Sequence, residues 1–141
     1  MSEEVKLAVE CTKAVEGYRD DDAKRRYAQR TRHFLSDITT LGVAHVVAIA
    51  SARAGKDAVE TGLRAQTCRE AVERISQMKL TVEEASYGLY GAVLLYGLKA
   101  LGVVKAASLA DALLELDSPM ASSAAYQYAL WLKTLAEAYF K

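Results

Sequence analysis

Between Asp21 and Leu41 the apolar residues recur at helical spacing. With 100° per residue and Arg25 set at zero, Tyr27, Phe34, Ile38 and Leu41 fall within about 160–220°. That is one apolar stripe, the face a helix turns toward a core. Arg25, Gln29, Arg32 and Ser36 fall on the opposite side, with Arg26 and His33 beside them. The acids Asp20, Asp21 and Asp22 supply an N-cap and a first turn that suits the helix dipole. Gly42 ends the helix.

The rest of the chain also reads as helix. A first helix runs from about Glu3 to Gly17, with Val5, Leu7, Ala8, Cys11, Ala14, Val15 and Tyr18 on its apolar side. A small-residue helix follows Gly42, from Val43 to Arg53, with Gly55 as its stop. The next helix spans Lys56 to Met78, with Gly62 as a possible break. Thr81 and Glu84 form a capping box for a helix that is apolar nearly all round and therefore central. A short helix covers Ser108 to Leu116. Ser118-Pro119 then opens the last helix as N-cap and first-turn proline. In that helix Tyr128, Leu132, Leu135 and Tyr139 share one side, with Trp131 adjacent. With one proline and no alternating strand pattern, the expected fold is all-α: residues 1–141 as a single domain, a bundle of about six to seven helices.

Composition supports this. A chain of 141 residues with 52% hydrophobic content is one domain with enough core to need no metal or disulfide staple. Charge changes the picture more. Lys and Arg number 18 against 18 Asp and Glu, yet Lys24, Arg25, Arg26, Arg30 and Arg32 crowd one segment with no acid between them. Net neutrality argues against a protein that coats nucleic acid through a global field. A local basic stripe remains, the footprint of a phosphate-backbone contact or of a solvated helix face. Asn is absent and Gln occurs four times, a depletion of thermolabile amides that suits a thermophilic source.

No catalytic motif stands out. His33 and His45 lie in no metal-ligand spacing, and His45, in an apolar helix, is expected in the core. There is no phosphate-binding glycine loop, and Gly88, Gly91 and Gly97 sit inside a helix, where they permit close packing. Ser122, Ser123 and the cysteines lack an activating base. The expectation is no enzyme, no metal and no cofactor. Cys11 and Cys68 form no CxxC; a disulfide stays open, but reduced structural thiols in a cytoplasmic protein are expected. No uncharged run is long enough to span a bilayer.

Two stretches carry a resemblance. One is Phe34-Leu35-Ser36-Asp37-Ile38-Thr39-Thr40-Leu41-Gly42-Val43 followed by the small-residue helix Ala44 to Ala54. The other is Tyr126-Gln127-Tyr128-Ala129-Leu130-Trp131-Leu132-Lys133-Thr134-Leu135-Ala136-Glu137-Ala138. Together they resemble the small α-helical subunit of the type III-B (Cmr) CRISPR effector complex, with the type III-A small subunit the neighbouring match. The family's Gly-Leu is Gly42-Val43 here, its phenylalanine in the following helix is an aliphatic near Ile49, and its closing Lys-Arg is Lys133-Thr134. The resemblance implies a non-catalytic protein that lines up in several copies beside the subunits holding the guide RNA. It further implies contact with the guide–target RNA backbone and with backbone and large subunits, and no membrane. The RNA-binding residues expected on this reading are Lys24, Arg25, Arg26, Arg30, Arg32 and Lys133. The alternative is a helical adaptor whose basic helix docks an acidic protein, without nucleic acid.

Overall fold

A computed structural model describes residues 2–141. Among them eight helices follow one another: α1 (Glu3–Glu16), α2 (Asp21–Leu41), α3 (Val43–Ala54), α4 (Lys56–Arg64), α5 (Cys68–Ser76), α6 (Val82–Ala100), α7 (Leu109–Leu116) and α8 (Pro119–Tyr139). The fold is all-α, and no strand occurs among the described residues. Most helices begin where a short polar side chain can accept an orphan N–H. Ser2, Asp20, Thr67, Thr81, Ser108 and Ser118 all do so from extended backbone. At Thr81 the capping box with Glu84 is complete. Between α2 and α3, Gly42 reverses the chain at a φ of 89°, a conformation that L side chains resist.

α6 is the axis of the bundle. Nearly all of it is buried, and α1 to α5 and α8 pack around it. Its glycines and that of α4 set the spacing. A Cβ at Gly62 would collide with the Ala92 carbonyl, and one at Gly97 would collide with the Tyr128 ring. α4 therefore lies backbone to backbone against α6, while Gly97 leaves the space on α6 that the Tyr128 ring of α8 fills.

Several expectations are corrected. The segment from Lys56 to Met78 is two helices, which raises the count above six to seven. The break falls at residues 65–67 rather than at Gly62, because Gly62 is needed as a packing surface and Thr67 starts a new helix with its own cap. Leu41, at the very end of α2, is 49% exposed rather than part of the stripe. His45 is exposed: in α3 it lies on the side away from Val43, Val46, Val47 and Ala50, which fill the core. Tyr139 and Trp131 are exposed as well, whereas Phe140 is buried against Tyr27.

The cysteines are the largest departure. Cys11 and Cys68 are fully buried and joined in a disulfide, with Cα atoms 5.3 Å apart. Spacing alone could not reveal this, since it follows from α1 and α5 lying side by side. The staple closes a long loop, which in the chain-entropy account stabilises the fold by about 4 kcal/mol.

Candidate nucleic-acid interface

The apolar stripe of α2 sets its basic face. Tyr27, Phe34 and Ile38 are buried, so Arg25, Gln29, Arg32 and Ser36, opposite them, are exposed together with His33. Arg32 makes no ion pair and no side-chain hydrogen bond among the described residues. Arg25 and Arg26 both lean on Asp22, at 3.5 Å each, from exposed positions. Exposed pairs of this kind are worth little, so an incoming phosphate can displace Asp22 from either guanidinium.

The other two cations of the cluster are held by the protein itself. Lys24 donates to the Glu16 carbonyl at 3.0 Å and pairs with Asp21 at 3.0 Å, which ties the end of α1 to the start of α2. Its ammonium hydrogen bond keeps the Asp21 carboxyl below the usual carboxylate range. Arg30 has a side chain only 11% exposed. Its Nε donates to Ser86 Oγ at 3.2 Å, and its guanidinium lies 4.1 Å from the centre of the Tyr87 ring, with Glu83 at 3.8 Å.

Tyr87 brings in a cation from a third helix. The guanidinium of Arg53 lies 5.5 Å from the same ring centre. Gly42 folds α3 back along α2, and Arg30 and Arg53 stand at nearly equal distances in sequence from that turn. This convergence was not legible in the helical pattern of α2, because it depends on α3 returning beside it and on α6 supplying the ring. Phe34 packs edge-on against Tyr87 from within the core.

Several other basic residues are engaged elsewhere. Lys133, on α8, pairs with Glu137 at 3.3 Å. Arg64 pairs with the buried Glu60 at 3.3 Å and donates to the Ala107 carbonyl at 3.2 Å. Arg19 donates to the Ser76 carbonyl. The exposed cations of the face are Arg25, Arg26 and Arg32, with Arg53 on the neighbouring helix and Lys141 beside Arg25.

Among the described residues no three or more His, Cys, Asp or Glu side chains come together as metal ligands would. No helix there is long and apolar enough to cross a membrane. No protein-family model, curated protein or solved structure matches the chain.

Proposed function

We propose that this chain is a non-catalytic small subunit of a type III CRISPR ribonucleoprotein effector, in the type III-B (Cmr) arrangement, acting in RNA-guided antiviral defence. In this reading it works in the cytoplasm of a thermophile and lies in several copies along the guide RNA, beside the backbone and large subunits. It touches the guide–target duplex through the α2 face. The observation that carries the reading is that face: Arg25 and Arg32 stand on the side of α2 opposite its core stripe, Arg32 with no partner among the described residues, and Arg26 beside them shares the weakly held Asp22 carboxylate with Arg25.

The chemistry suits a duplex backbone. A guanidinium is a planar fork that meets phosphate oxygens two at a time, and it stays charged at any physiological pH. Side chains on a straight helix face reach phosphates and 2′-hydroxyls but do not enter the deep, narrow major groove of A-form RNA. Sequence reading is left to base pairing, as in other guide-directed systems. Arg30 then acts as a positioning residue that fixes α2 against Tyr87 and α6, and Lys24 holds the start of the helix.

The test is the double variant Arg25→Glu with Arg32→Glu. The helical signal should be unchanged, while binding to an RNA duplex weakens and loses part of its salt dependence. Unchanged duplex affinity and unchanged assembly with the effector subunits would overturn the role of this face.

A further inference from the structure

α1 and α5 lie side by side: the disulfide joins Cys11 of α1 to Cys68 at the start of α5, and Arg19, just beyond α1, donates to the Ser76 carbonyl at the end of α5. Between them lies a groove of about 670 Å³. Its floor is apolar, made by Val9, Ala14 and Val72, and Val9 is 40% exposed. The charges along it are not equally engaged. Arg69 and Glu73 neutralise each other at 3.0 Å. Glu10 turns its Oε2 to the Cys68 N–H at 2.9 Å and the Tyr96 hydroxyl at 3.0 Å, so it serves as a cap for the start of α5. Lys6 and Lys13 are left exposed, with no ion pair and no side-chain hydrogen bond among the described residues.

We propose that this groove docks an acidic amphipathic helix of a partner protein. Lys6 and Lys13 are seven residues apart on one face of α1, which places them about 10 Å apart along its axis. A helix laid along α1 has the same rise, so two carboxylates seven residues apart meet both ammonium groups at once. Apolar residues three and four positions after the first acid then cover Val9 and the floor. A duplex backbone has no use for an exposed valine and an apolar floor, which is why the groove favours an amphipathic helix over RNA. The docking is separate from the α2 face, and it adds a protein contact whichever nucleic acid that face binds.

The probe is a fluorescein-labelled, Ala-rich helical peptide of about 18 residues, long enough to hold a helix. It carries Glu at seven-residue intervals with Leu three and four residues after each. Fluorescence anisotropy with the full oxidised chain should show binding that a scrambled peptide lacks. Lys6→Glu with Lys13→Glu should weaken it about tenfold or more, equivalent to one unit in log Kd. A peptide with Lys in place of Glu should regain binding to that variant. Arg25→Glu with Arg32→Glu should leave peptide affinity unchanged, which separates this site from the RNA face. Equal binding of the scrambled peptide, indifference to the Lys6/Lys13 variant, or loss of duplex RNA binding in that variant without loss of peptide binding would overturn the proposal.

Discussion

Ser122 of α8 accepts the Val43 backbone N–H at 3.0 Å, capping the start of α3 from another helix. Gly42, the residue at the cap position, has no side chain to do so. The same device recurs. Glu60 accepts the Leu109 N–H at 2.7 Å at the start of α7, and Glu10 accepts that of Cys68 at the start of α5. Lys99 donates to the Leu63 carbonyl at 2.7 Å, near the end of α4. Helix ends that local sequence leaves open are satisfied by tertiary neighbours, so packing and helix formation stabilise each other.

Replacing Ser122 by Ala should therefore cost about 1 kcal/mol, the value of a lost cap, and lower the melting temperature by about 4 °C. Thermal unfolding followed by circular dichroism would show it. An unchanged midpoint would mean that water replaces the hydroxyl at no cost.

Removing the staple should cost more. Cys11→Ala with Cys68→Ala is expected to lower stability by about 4 kcal/mol, seen as a reduced urea midpoint against the oxidised chain. In the unfolded, unreduced parent no thiol should react with a thiol reagent, because both of the chain's cysteines are in the bond.

At Gly97 the Tyr128 ring occupies the space that a Cβ would fill. Gly97→Ala should destabilise by several kcal/mol, despite alanine's higher helix propensity, since the gain of about 1 kcal/mol is outweighed by the collision. A stabilised variant would contradict the packing of the Tyr128 ring onto Gly97.

Three buried phenols give a contrast. Tyr128 donates to the Val93 carbonyl at 2.9 Å, while the Tyr27 and Tyr90 hydroxyls have no partner among the described residues. Tyr128→Phe should cost about 1 kcal/mol, and Tyr90→Phe much less. Burial raises the pKa of all three above the ordinary value of 10.0. The folded state thus holds these protons more tightly than the unfolded chain does. That stability is complete below pH 10 and is lost as pH rises above it. Tyrosinate absorbance from these residues should appear together with loss of helix in an alkaline titration.

How far this was legible in the sequence differs by element. The stripe of α2, the Thr81–Glu84 capping box and the Ser118-Pro119 start are local patterns, and the helices they predict are present. The Cys11–Cys68 bond and the Ser122 cap join elements far apart in sequence, so no periodicity reports them. His45 misled because an apolar helix of twelve residues still has one outward face. The cluster from Lys24 to Arg32 reads as one charge run, but the fold divides it. Lys24 and Arg30 are bound into the protein, and Arg25, Arg26 and Arg32 stay outside.

The most direct test of the central claim is to tag the protein in its own host, purify it gently, sequence the accompanying RNA and identify the accompanying proteins. The account predicts short RNAs with a common repeat-derived end, together with backbone and large effector subunits. A single stable protein partner with no RNA would contradict it and make the α2 face a surface for an acidic protein.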